Sequence, residues 1–432
     1  MTGLANDPSV TPLEEIERRA QDRAKRLAGG MDVAHDELRS IVVDEVDRWN
    51  LDYQRGIRSV EVTDPVGVAD RALRNLSSYG PLTPLLRDDD VWEIAINAPD
   101  AIFVKRHDGP SGFHDEVFHD DEHVLRTLTR LLDDAPGAHR KLDPAEGLQD
   151  ARLDDGSRVH IVHGDIGRAG HLLVNIRRFT GVPIRSLDEL VDMGTLEPAI
   201  AAFLRACMRA RVSIVFAGAP GAGKTTLLSC CLAELDPSLR IVVAEEVFEA
   251  DIPLPNVAQM QTRPARPDRP EVDLRRLVAG FLRMAPDVAV VGEVRDREAL
   301  ALLLALSSGV TGYTTIHAGS ATQALGRLRF LSQLSDVGRH LPFAALSSLV
   351  ADAVDLVVHT ARTREGVQVT SVVAVEELVS GPDSGHFTVT EVFAAPSIGS
   401  PLRWTGDLPV RIGRRFADHG LSVRAVLSGH SS

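Results

Sequence analysis

Apolar positions recur at helical spacing through the first part of the chain. Leu13, Ile16, Ala20, Ala24 and Leu27 fall on one face between charged residues, and Leu38, Val42, Val46 and Trp49 repeat the pattern. Asp64-Pro65 reads as an N-cap followed by proline at the first helical position. Residues 1–75 are therefore predicted to be helical. Spacing alone leaves two roles open, a cap on the next domain or a partner-docking arm, and the cap is the simpler.

From Tyr79 the pattern changes. YGPLTPLL supplies turns, and VWEIAIN and AIFVKR read as short strands around Asn97-Ala98-Pro99-Asp100. Val124 to Leu132 is helical, ARLDDGSRVHIVHG reads as a hairpin with Asp-Asp-Gly-Ser at its turn, and HLLVNIRRF adds a strand. Together these make a mixed α/β N-terminal domain over 76–181, with a linker at 182–190 containing Pro183. Residues 191–380 alternate strand and helix, the pattern of a doubly wound parallel sheet. Short strands after Val354 suggest a β extension, and 381–432 form a C-terminal extension of little pattern.

Within the second domain, Val212 to Ala217 is an apolar run suited to a buried strand. Gly218-Ala219-Pro220-Gly221-Ala222-Gly223-Lys224-Thr225 then fits G-x-x-x-x-G-K-[ST], and Thr226 onward turns helical. Glycines let backbone N–H groups turn inward around a phosphate, with a helix N-terminus behind them. In that arrangement Lys224 reaches the β/γ-phosphates of a nucleotide and the Thr225 hydroxyl ligands Mg²⁺.

Parallel sheets bind ligands beyond the carboxyl ends of their strands. Glu245, Glu246 and Glu249 lie at one such end, Glu293 at a second and His317 at a third. Glu293 follows VAVVG and is placed to polarise a water for in-line attack on a γ-phosphate. Glu245 and Glu246 either hold Mg²⁺ through water or form a solvated acidic cluster. His317, in TTIHAGS, is the one of fifteen histidines best placed to sense a phosphate. Arg152, Arg158, Arg177 and Arg178 precede the linker. They are candidates to stabilise phosphoryl charge from another domain, or else ordinary decoration of strands. The loop TRPARPDRP is barred from regular structure by its prolines, and its arginines are solvated or line a pore.

Net charge −14 and 4% aromatics argue against a large nucleic-acid footprint, so no specific nucleic acid is expected. The apolar run Ala299 to Leu306 is too short to span a bilayer, and the charged first residues give no expectation of a signal peptide. Three cysteines offer no disulfide framework, which fits a reducing, cytoplasmic setting.

The P-loop, GEVRD and TTIHA, with the preceding GPLTPLL, EIAIN, DARLDDGSRV and IRRF, resemble the type II/IV secretion ATPase superfamily. More narrowly they resemble the CpaF-type motors of tight-adherence pili, and the absence of a four-cysteine zinc module fits that branch. The resemblance implies an N-terminal domain joined to a RecA-like ATPase domain, assembled as a homo-hexamer with ATP between the domains. It implies a cytoplasmic ATPase, peripheral at the membrane through an inner-membrane platform protein, driving pilus assembly or protein export. Glu293 would be the Walker B glutamate, His317 the His box, and Glu245, Glu246 and Glu249 the Asp box. Arg158 and Arg177 would contact phosphate. Two departures, Glu245-Glu246-Val247 for Glu-Asp-Thr and His317-Ala318-Gly319 for His-Ala-Asn, bear on rate rather than fold. A nucleic-acid-translocating conjugation motor and a non-catalytic nucleotide-gated scaffold are the alternatives.

Overall fold

The computed structural model describes residues 11–28, 34–107, 109–135, 142–178, 184–263, 265, 269–363, 366–377, 387–395 and 400–429. The chain divides into two compact units, Met1–Thr180 and Gly181–Ser432.

The first unit opens with α1 (Pro12–Ala28), α2 (His35–Gln54) and α3 (Pro65–Ser77). Their apolar stripes meet: Ile16, Ala20, Val42, Val46 and Trp49 are buried together. Leu27, expected on the same face, is exposed because the last turn of α1 runs past the contact. Asp64 caps α3 by accepting from Gly67 N at 2.9 Å, as the Asp-Pro pair predicts. Glu17 of α1 accepts from Asn75 Nδ2 at 2.7 Å and lies 2.9 Å from His119 Nε2, which ties the helices to the sheet domain of this unit.

Next come α4 (Leu82–Arg87), β1 (Val91–Ala98), β2 (Ala101–Arg106), β3 (Gly112–Phe113), α5 (Asp121–Asp133), β4 (Leu148–Arg152), β5 (Arg158–Val162) and β6 (Leu173–Arg177). The strands form an antiparallel sheet in the order β3-β2-β1-β6-β5-β4. Strand alternation sends Ile94, Val104, Ile161 and Ile176 into a core with Leu128 and Leu132 of α5, and the intervening residues to the opposite face.

In the second unit, α6 (Leu187–Asp192) begins inside the stretch expected to be linker. Ser186 caps it by accepting from Glu189 N, and Leu187 and Leu190 join the core. Capping and burial together make residues 187–190 part of the domain; Pro183 lies outside the described residues. Then come α7 (Pro198–Arg209), β7 (Ile214–Gly218), α8 (Lys224–Leu232), β8 (Ile241–Glu245), β9 (Val257–Gln261), α9 (Leu274–Gly280), β10 (Val288–Val294), α10 (Glu298–Ser307) and β11 (Thr311–His317). The chain ends with α11 (Ala321–Gln333), α12 (Phe343–Ala353), β12 (Leu356–Thr363), β13 (Gly366–Val375), β14 (Val389–Ala394), β15 (Arg403–Trp404), α13 (Val410–Asp418) and α14 (Val423–Leu427).

These strands build one sheet in the order β15-β14-β13-β12-β7-β11-β10-β8-β9. It is parallel from β12 to β9 and antiparallel from β12 to β15. Helices cover both faces. Ile214 and Phe216 of β7 pack under α7 and α8, while Val215 and Ala217 pack against α10, α11 and α12. The strands are apolar on both sides, as a sandwiched parallel sheet requires. This is the α/β, RecA-like arrangement expected for the P-loop domain.

Residues beyond 380 are integral to that sheet, though 381–386 lie outside the described residues. Through β14, β15 and α13 the chain returns to the root of the P-loop strand. Asp355, fully buried, accepts from Ser213 N at 2.8 Å and meets Arg411 Nε at 2.9 Å and Arg415 Nε at 3.1 Å. Burial pushes its carboxyl pKa up, against the pull of the two arginines. Asp355→Ala strands a buried N–H and removes the counter-charge, so it is expected to destabilise the protein by about 3–5 kcal/mol. Denaturant unfolding measures this; a loss of about 0.5 kcal/mol, ordinary for a surface change, would remove the knot's structural role.

Candidate active site

The nucleotide loop hangs between β7 and α8. Two glycines are required there by geometry. A Cβ at Gly218 would collide with the Thr360 carbonyl oxygen. Gly223 has φ +74°, and a Cβ there would press on Val367. β12 and β13 therefore lie directly against the loop. Among the described hydrogen bonds none takes the N–H of Gly221 or Gly223, which leaves those donors for an anion at the start of α8. Ala219 and Pro220 are exposed, Ala222 is buried, and Thr225 and Thr226 are half-buried in the first turn of α8.

Lys224 is buried, and its Nζ donates to Ala219 O at 3.0 Å and lies 3.2 Å from His317 Nδ1. Parallel pairing of β11 with β7 sets His317 beside Gly218, which explains the meeting. The far side of the ring, Nε2, is 2.6 Å from Glu293 Oε1 at the end of β10. The ring thus lies between the lysine and the carboxylate, with Nδ1 also 3.3 Å from Gly218 O. Glu293 Oε2 accepts from Arg295 Nη2 at 2.5 Å, and Arg295 Nη1 donates to Glu246 Oε2 at 2.8 Å. Lys224, His317, Glu293, Arg295 and Glu246 thus form one continuous chain of polar contacts across four strand ends.

Burial opposes ionisation of Glu293, but the contacts from His317 and Arg295 outweigh it and bring its pKa down to about 2. A depressed carboxylate pKa stabilises the fold above its ordinary range, and that contribution fades as pH falls toward about 2. Throughout neutral pH the carboxylate is ionised, as a base must be.

Glu245 behaves differently from its neighbour. It is buried, and its Oε1 accepts from Glu249 N at 3.0 Å and Ala250 N at 2.9 Å, closing the loop after β8. Glu246 faces solvent. Among the described residues no group of three or more His, Cys, Asp or Glu side chains is placed to hold a metal alone. Thr225 Oγ1 in the first turn of α8 and the exposed Glu246 carboxylate after β8 are nevertheless hard oxygen donors, suited to a Mg²⁺ that takes most of its shell from phosphate and water.

Two residues of the site carry no assignment from sequence. Arg362, at the end of β12, donates through Nε to Gly221 O at 3.3 Å. Arg295 is visible in GEVRD but without a role there; its spacing of two from Glu293 along an extended segment is the available signal.

In the first unit, register gathers the predicted arginines on the open face of the sheet. Arg158 pairs with both Arg177 and Arg152, and Arg177 also opposes Glu93, itself opposite Lys105. Like charges directly across strands repel, and Glu93 opposite Arg177 offsets part of that repulsion. Arg178 points elsewhere. It is almost wholly buried and donates to the carbonyls of Leu85, Asp88 and Val91, bracing the turn after α4. In the proline-rich loop, Arg263 pairs with Val272 and Arg266 lies outside the described residues.

Residues 75–381, most of the chain and all strands from β1 to β13, match the Type II/IV secretion system protein family. The chain belongs to that family. A putative conjugal transfer protein of Mycobacterium tuberculosis is 34% identical over 299 residues, covering 67% of this chain and 82% of that protein. The type IV secretion system protein PtlH of Bordetella pertussis is 32% identical over 301 residues, covering 64% and 87%. Among solved structures, the VirB11 ATPase of the Brucella suis type IV secretion system aligns at 25% identity and TM-score 0.37, covering 71% of this chain and 97% of that one. Secretion family membership stands; the narrower tight-adherence branch is not distinguished by these relatives. Among the described residues no helix is long and apolar enough to cross a membrane.

Proposed function

We propose that this family member is an ATP hydrolase that powers pilus assembly or protein export, and that it belongs to the CpaF-like branch. The observation that carries the reading is the contact chain from Lys224 through His317 to Glu293. It joins a phosphate-binding lysine to a carboxylate with the reach and charge of a general base. ATP is the substrate, held by the loop Gly218–Thr226 with the N–H groups of Gly221 and Gly223 turned to its phosphates. Bound Mg²⁺ would neutralise charge on the β- and γ-phosphates, with Thr225 and Glu246 toward it and Glu245 fixing the loop behind. Glu293 orients and deprotonates the attacking water; Lys224 leaves His317 for the phosphates. The working form is a cytoplasmic homo-hexamer, peripheral at the membrane through an inner-membrane platform protein. Light scattering with a non-hydrolysable analogue is expected to report about six protomers, since heterologous contacts that close form rings.

A second reading, a conjugation motor that translocates nucleic acid, draws on the relative named for conjugal transfer. Phosphate release from the purified chain, with and without single-stranded DNA, decides between them. Steady release that DNA leaves unchanged supports the export motor, stimulation by DNA supports the conjugation motor, and ATP binding without release leaves only a nucleotide-gated scaffold.

The resemblance gives Arg158 and Arg177 a phosphate-contacting role. A charge-assisted contact of this kind contributes about 1.5–3 kcal/mol. Arg158→Ala and Arg177→Ala are accordingly expected to lower turnover by about tenfold to a hundredfold while ADP affinity persists. Wild-type rates in both variants would take the arginine row out of the mechanism.

A further inference from the structure

Arg295 is presented by a rigid turn. The N–H groups of Arg295 and Asp296 both donate to Glu298 Oε1, at 2.5 and 2.8 Å, and Glu298 is itself buried at the start of α10. That turn projects the guanidinium between two carboxylates on different strands, Glu293 of β10 and Glu246 just after β8. With Arg295 on one oxygen of Glu293 and His317 beside the other, the carboxylate is engaged from both sides. A general base works best when its pKa is near the operating pH, and this pairing drives Glu293 the opposite way. The guanidinium already touches Glu246, so it can give up Glu293 without losing a charged partner.

We infer that Arg295 is a positioning residue that restrains Glu293 in a resting pose and keeps unstimulated ATP turnover low. The inference rests on Glu293 being the base. In the resting protein Arg295 clamps Glu293; when the clamp shifts its weight to Glu246, the carboxylate regains the basicity to take a proton from water.

The full-length chain carrying Arg295→Ala, Arg295→Gln or Arg295→Lys tests this by steady-state ATPase kinetics, binding of a fluorescent ATP analogue and thermal melting. The neutral variants are expected to raise unstimulated kcat by about three- to tenfold, the Brønsted gain from a stronger base. KM and analogue affinity should stay within about twofold, and Arg295→Lys, which keeps the charge, should stay near wild type. The glutamine variant keeps side-chain length and hydrogen bonding, and carries the test if the alanine variant does not fold. A neutral variant that melts like wild type but turns over no faster, or more slowly, overturns the inference. Glu293→Gln separates the two layers. If it hydrolyses ATP at the wild-type rate, the assignment of the base fails. If it is inactive while the Arg295 variants are no faster, only the restraint fails.

Discussion

Lys224→Ala is expected to lower ATP affinity by about a hundredfold or more, because one point charge serves two phosphates and each charged hydrogen bond contributes about 1.5–3 kcal/mol. The resting geometry supports this size of effect. A buried lysine needs partners, and a backbone carbonyl and an imidazole are among those it has here. A phosphate offers a full negative charge and a charge-assisted hydrogen bond in place of these neutral contacts. The alanine variant also removes the group 3.2 Å from His317 Nδ1, while the fold is held by the β7 pairings on either side. Calorimetry with ATP checks it. Unchanged affinity in a folded variant would mean that the loop does not hold phosphate.

Glu293→Gln should separate binding from chemistry. The amide matches the carboxylate in shape and its oxygen can still accept from Arg295, so ATP affinity is expected to stay near wild type. It cannot take a proton, and turnover should fall by about 10²–10⁴. Single-turnover measurements, in which product release plays no part, make the distinction cleanest. A variant that turns over at the wild-type rate would reduce Glu293 to a structural carboxylate between an arginine and a histidine.

Much of this centre is legible in the amino-acid sequence. The nucleotide loop has fixed spacing, and Glu293 and His317 each follow an apolar strand, so the carboxyl-end rule of parallel sheets puts both near the loop. The division of labour between Glu245 and Glu246 is not legible there, because every residue of β8 is buried and alternation gives no sign of which carboxylate turns inward. The roles of Arg177 and Arg178 separate only once β6 is paired, when one faces the arginine row and the other the carbonyls of Leu85 and Asp88 before β1. The contribution of residues beyond 380 is hidden for another reason. Asp355 looks like any acidic residue after a helix, and nothing in local spacing announces that arginines of α13 will reach it.

That return of the chain bears on how the protein is made. Ser213, at the foot of β7, bonds to Asp355, 142 residues later, and β7 pairs on its two sides with β11 and β12. The central strand therefore emerges from the ribosome long before either neighbour exists. Contacts of such sequence separation slow folding, and the unpaired apolar strand is exposed to association in the meantime. A nascent chain arrested before β12 carries a nucleotide loop in sequence but lacks the strand that closes over it.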